Sequence, residues 1–280
     1  MSSSEKLVEL FSTIKTDQLF ASGPYDELYR VRDLEDDVWY FGRFFFNPVD
    51  REKLEGLQKE FEKCKSVRDD RVMPTRKISI EESRLALFWE YRDGTTLDER
   101  LRREFGPRKI VKFILATAQS ILDLEEQGVR LEYLSFPDIL VDIDDMPILL
   151  AGTFSHLLSG KGDTTAIVEN YQQRIIYRLG AVLLSICFGR HYDELIEAAQ
   201  LETDVIVLMD RFRDLMGVDP SLMAVIAKCL MPIDSKRYQT VGDMTTDLEE
   251  YLKGRAITVD GVDFHQMILS WRERKKERDA

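Results

Sequence analysis

Apolar residues change their spacing along this chain, and each change marks a new kind of element. Between residues 19 and 46, hydrophobic clusters alternate with turn signals: LYRVRD, the acidic turn LEDD, then VWYFGRFFF. That pattern predicts two antiparallel strands and a third, ended by Asn47-Pro48. From Val49 to about Val67, Leu54, Leu57, Phe61 and Cys64 recur at spacings of three and four, which predicts one amphipathic helix. After Pro74, RKISIEE and RLALFWEY predict two further strands joined by a short polar turn. Asp93-Gly94 then breaks the chain before TLDERLRREFG, a short helix with Thr96 as N-cap and Glu99 as its capping-box partner.

Beyond Pro107 the period becomes that of a helix, with Ile110, Phe113, Ile114, Ala118, Ile121 and Leu122 along one buried stripe. Helical patterns return in IIYRLGAVLLSICFG, in SLMAVIAKCLM and in VGDMTTDLEEYLKG, the last stopped by Gly254 at C′. Between them, Asp142, Asp144 and Asp145 lack calcium-loop spacing and read as a turn between two strands. Five strands around one helix, followed by mostly helical segments, predict an α+β protein with a small antiparallel part and a larger helical part.

Composition narrows the function classes. The 280 residues carry a formal charge of −12, which repels nucleic-acid and anionic lipid phosphates. Nucleic acid is therefore not an expected partner. The end of the chain, WRERKKERDA, is locally basic and reads as a solvated helix end. Cys64, Cys187 and Cys229 are odd in number and widely spaced, which points to a reducing, cytoplasmic setting without disulfides or a zinc site. The start, MSSSEKLVEL, has acids where a signal peptide needs a basic, then apolar, run. The apolar stretch Ala181 to Phe188 is too short to span a bilayer.

Several segments share the spacing of one known set of motifs. YRVRDLEDDVWYFGRFFF tracks V-Y-R-A-R-D-x-x-T-G-x-x-V-A-x-K, and LALFWEYRDGTTLDERL tracks the hinge pattern L-V-x-E-Y-x-x-G-x-x-L. GVRLEYLSFPDILVDIDDMPILLAGT has the rhythm of a catalytic loop, H-R-D-x-x-x-x-N, followed by D-G-x-P-V-L-x-D-F-G. RIIYRLGAVLLSICFGR and IAKCLMPIDSKRYQTVGDM follow S-D-x-Y-S-L-G and I-x-K-C-L-x-x-D-P-x-x-R-Y-x-S-A-x-x-M. On these residues the chain resembles the protein kinase-like superfamily, in the bacterial, eukaryotic-like Ser/Thr kinase form, with degenerate catalytic motifs. The resemblance implies a bilobal fold over residues 19–252, with a small lobe of about 19–91 and a large lobe of about 92–252. Residues 1–18 form a lead-in and 253–280 a helical tail.

The same resemblance assigns roles by position. Of the glycine-rich loop only Gly23 remains, with Pro24 removing an N–H and Asp26 and Glu27 adding negative charge; Gly23-Pro24 also reads as a plain hairpin turn. Arg43 takes the place of the phosphate-binding lysine, with Glu60 as the helix acid that would pair with it. That pair is equally a structural tie between helix and sheet. Trp89, Glu90 and Tyr91 take the nucleotide-facing hinge positions, where the tryptophan's bulk would close the inner pocket. Tyr133 replaces the catalytic aspartate, Asp138 the metal-binding asparagine and Ala151 the metal-binding aspartate. A phenol does not serve as a carboxylate base near neutral pH, and a methyl group offers Mg²⁺ no oxygen. Ile175 replaces the aspartate that braces the catalytic loop, whereas Arg237 keeps the place of a buried structural arginine.

The family uses ATP and Mg²⁺; here Asp138 would be the one remaining direct metal ligand, so neither cofactor is assigned as a requirement. The expected function is that of a pseudokinase: a scaffold or allosteric regulator of a protein partner, such as an active kinase or a regulated enzyme. The alternative is a nucleotide-binding kinase-like enzyme with non-standard transferase or weak Ser/Thr kinase activity.

Overall fold

The computed structural model describes residues 8–23, 26–100, 106–131, 134, 136–152, 171–188, 219–231 and 237–259. The chain divides into two compact units, the first from Met1–Arg100 and Ser120–Ile167, the second from Leu101–Gln119 and Val168–Ala280.

The first unit is built on β1 (Ile14–Ser22), β2 (Asp26–Asp33), β3 (Trp39–Pro48), α1 (Arg51–Lys65), β4 (Val72–Met73), β5 (Thr75–Glu81) and β6 (Arg84–Glu90). Its main sheet has five strands in the order β1-β2-β3-β6-β5, every neighbouring pair antiparallel. Aromatic and branched residues dominate β3 and β6, so alternate side chains cover both faces of the sheet. One face holds Val31, Tyr40, Phe44, Ala86 and Phe88. Val8 and Phe11 close over this face, and the Phe11 and Phe44 rings meet edge to face at 5.3 Å. The sequence places a lead-in through residue 18; in the structure β1 already begins at Ile14. Val8 and Phe11, three apart, give too short an apolar repeat to register as an element, yet they complete a core layer.

A second sheet has the order β4-β9-β8-β7, using β7 (Thr95–Thr96), β8 (Ile139–Val141) and β9 (Pro147–Leu150). The β8–β9 hairpin turns on Asp142, whose carboxylate accepts from the backbone N–H of Asp144 and Met146 at 2.9 and 2.8 Å. Asp145 pairs with Arg100 at 2.5 Å, so the acidic cluster is a turn, as its spacing implied. Thr96 caps the four-residue α2 (Leu97–Arg100) by accepting from the Glu99 N–H at 3.3 Å. The Glu99 carboxylate accepts from Thr95 Oγ1 at 2.6 Å.

Helix α3 (Pro107–Glu126) contributes residues to both units. In the second unit, α4 (Tyr171–Phe188), α5 (Pro220–Leu230) and α6 (Val241–Leu252) pack together. Gly254 ends α6 with φ +80°, the left-handed conformation glycine adopts at no steric cost. Gly180 on α4 lets α5 approach so closely that a Cβ there would lie 2.3 Å from Cys229 Cβ. Because both atoms are fixed to backbone, Gly180→Ala forces the helices apart. It should cost about 1–3 kcal/mol of unfolding free energy, measured as a lower denaturant midpoint. An unchanged midpoint would mean that the two helices separate freely.

Candidate functional site

Strand β3 positions the central residue. Its alternation sends Arg43 to the face opposite Phe44, where its side chain is 1% exposed. A guanidinium does not lose its charge, so burial at this depth demands carboxylates. Asp138 supplies one, at 2.5 Å from Nη1, its own side chain only 2% exposed. It ends a short 3-10 turn, Phe136–Asp138, that leads directly into β8. A second carboxylate, Asp26 at the start of β2, lies 3.7 Å from Arg43 Nε. The sequence had pointed to Glu60 of α1 as the acid beside Arg43. Two further carboxylates lie against the guanidinium, those of Asp138 and Asp26, and Glu60 is half-buried on its helix.

Burial pushes the Asp26 carboxyl above its usual range. Arg43 opposes that rise, whereas the charges of Asp138 and Glu27 add to it. A carboxyl raised in the folded state binds its proton more tightly there than when unfolded. Its ionised form therefore burdens the fold above the folded pKa, and the burden lifts as pH falls toward the unfolded value. Between about pH 7 and about pH 4, wild type should gain stability relative to Asp26→Asn, which has no such proton. Paired thermal melts across that range test the sign; wild type losing stability relative to Asp26→Asn on acidification would contradict it.

Around Ala151 the backbone is fully used. Its carbonyl accepts from Trp89 Nε1 at 2.8 Å and from Thr75 Oγ1 at 2.6 Å, and its N–H donates to the Met73 carbonyl at 3.0 Å. Trp89 and Ala151 are both fully buried. On the Arg43 face of β3, the Phe41 ring lies 4.8 Å from that of Tyr91 and 5.1 Å from that of Phe20 on β1. Glu90 is exposed and reaches Arg76 at 3.6 Å. Gly23 forms a hairpin turn, its N–H donating to the Asp26 carbonyl at 2.9 Å, and an added Cβ there would meet that oxygen only at 3.6 Å. Tyr133 lies outside the described residues.

The structure therefore brings Arg43, Asp138 and Asp26 together, and separately Trp89 with Ala151. Sequence reasoning missed two features here. Asp138 sits in Phe136-Pro137-Asp138-Ile139-Leu140-Val141, apolar on both sides, which signals a buried carboxylate in need of a cation. Phe41 stands where the resembled V-A-x-K motif has its small alanine.

Among the described residues, no group of three or more His, Cys, Asp or Glu side chains could hold a metal ion. Cys64 is buried with its thiol pushed up to about 12, mainly by desolvation, and so is no nucleophile near neutral pH. In the second unit Arg237 is buried, donating to the Met231 carbonyl through Nε at 2.8 Å and through Nη2, and to the Gln173 carbonyl at 3.4 Å. Its guanidinium carbon lies 5.4 Å from the centre of the Tyr177 ring. These contacts tie α4 to the end of α5.

No family model matches the chain, and no curated protein matches it. Solved structures do match in fold. A double mutant of the Mycobacterium tuberculosis PknI kinase domain superposes with a TM-score of 0.64 at 12% identity, covering 86% of this chain and 96% of that one. A single mutant of that domain gives 0.63 at 13% identity over 86% and 96% of the two chains. The unsubstituted domain gives 0.62 at 12% identity over 85% and 96%. The chain thus has the protein kinase-like α+β fold, with its five-stranded antiparallel sheet and a mainly helical remainder. At such identities the likeness is one of fold. Among the described residues, no helix is long and apolar enough to cross a membrane.

Proposed function

We propose that this protein is a pseudokinase that acts in the cytoplasm as a scaffold or allosteric regulator of a protein partner, without ordinary phosphoryl transfer. The observation that carries this reading is the buried contact between Arg43 and Asp138. The cation that would hold phosphate and the one carboxylate left for metal face each other instead. Among the described residues, the donor set is a poor fit for Mg²⁺ and ATP. Ala151 has no side-chain oxygen, its carbonyl already accepts two hydrogen bonds, and Asp26 adds negative charge where a polyphosphate would approach. Phe41, a large ring where the resembled motif has alanine, packs against Tyr91, and this bulk argues against room for a nucleotide base beside it. Removing charge stabilisation of this kind from a transferring phosphoryl group costs several factors of ten in rate.

The test combines a phosphate-transfer assay with thermal shift. Purified protein with ATP and Mg²⁺ or Mn²⁺ should transfer no phosphate to itself or to generic substrates. Stoichiometric autophosphorylation that disappears in Arg43→Ala would reject the reading. The regulatory half is checked by recovering a partner enzyme from the native host and adding back purified protein. The partner's activity should change; an unchanged activity in every recovered enzyme counts against regulation.

A further inference from the structure

Arg43 and Asp138 are 95 residues apart in sequence, yet they share a contact that solvent hardly reaches. With Asp26 on the other side, one permanent cation stands between a carboxylate that opens β2 and a carboxylate that precedes β8. All of these residues belong to the first unit. We propose that the Arg43 guanidinium is the resident cation of this site. It takes the place that a cation held jointly by Asp26 and Asp138 would occupy. The β1–β2 hairpin, β3 and the turn before β8 are thereby joined by a side chain of the protein, with no diffusible ligand.

Three features support this assignment. First, a guanidinium stays protonated throughout the working pH range, so unlike a lysine it is not switched off by burial. Second, the hairpin that carries Asp26 is already closed by the Gly23 to Asp26 backbone bond, which holds that carboxylate near Arg43 without a phosphate to organise it. Third, Ala151, the residue directly after β9, is held by Trp89 and Thr75 through its backbone oxygen, an anchor that uses no metal. This inference goes beyond the proposed function. It concerns what holds the site together and stands whether or not a partner is regulated.

The assignment predicts chemical rescue. Arg43→Ala takes the guanidinium away from Asp138 and Asp26 and leaves a gap of its size, and the melting temperature should fall by about 6–20 °C. Guanidinium or methylguanidinium at about 10 mM, far below denaturing levels, should restore at least half of that loss. Equal concentrations of tetramethylammonium or urea should not. Wild type should show no such gain because the place is filled, and neither should the Arg43→Ala, Asp138→Asn double variant, because an acceptor charge is missing. Mn²⁺ should raise the melting point of Arg43→Ala and leave wild type unmoved.

If Arg43→Ala does not fold, the Arg43→Met, Asp138→Leu double variant and each single variant decide the matter. The double variant should melt above either single one. The assignment is overturned if Arg43→Ala melts with wild type, if guanidinium acts no better than tetramethylammonium, or if the double variant melts below both single ones. A melting rise of wild type with Mn²⁺ or Mg²⁺–ATP would overturn it as well. A silent kinase assay alongside any of these results would leave the pseudokinase reading intact, so the two can fail separately.

Discussion

Trp89→Ala should lower the free energy of unfolding by about 3–5 kcal/mol, the usual cost of emptying a fully buried aromatic site. Trp89 has no exposed surface, and its indole N–H is bonded to the Ala151 carbonyl at 2.8 Å. Two losses are therefore combined, and a second substitution separates them. Trp89→Phe keeps much of the ring volume and removes the N–H donor. The Ala151 carbonyl would still accept from Thr75 Oγ1, so it would not be left without a partner. Trp89→Phe should thus cost only about 0.5–1.5 kcal/mol, plus a small penalty for the missing ring volume. Denaturant unfolding of the two variants provides the check. Equal losses would assign the stability to the hydrogen bond, and a negligible loss in Trp89→Ala would mean that β6 does not anchor Ala151.

Arg237→Met should cost about 2–4 kcal/mol, because it leaves the buried Met231 carbonyl without the fork that serves it and weakens the hold on the Gln173 carbonyl. Methionine fills much of the removed volume, so the loss reports polar contacts more than a cavity. Arg237→Lys is a demanding control. Lysine retains the charge but has one point of attachment where arginine has a planar fork, so less than half of the stability should return. Full recovery by lysine would show that charge alone is required.

Hydrophobic spacing made most elements legible before any coordinates. Leu54, Leu57 and Phe61 announced α1, and Gly254 marked the end of α6, because periodicity and capping are local properties. Partner choice at the site is not local. Which acids besides Glu60 come close to Arg43 depends on how strands far apart in sequence are stacked, and motif spacing did not reveal Asp138 and Asp26. The apolar flanks of Asp138 held the missing information, since a carboxylate confined among Phe136, Ile139 and Leu140 must be neutralised from elsewhere. The contact of Phe20, Phe41 and Tyr91 was hidden for the same reason: β1, β3 and the residue that follows β6 had to be aligned before the rings could meet.

The layer formed by Val8 and Phe11 has a practical consequence for anyone shortening this chain. A truncation starting at residue 19, where motif comparison would cut, discards half of an edge strand and uncovers Phe44, Phe88 and Val31 together. Such a fragment should be sticky in solution and self-associate during purification, whereas one that keeps Val8 onward should remain dispersed.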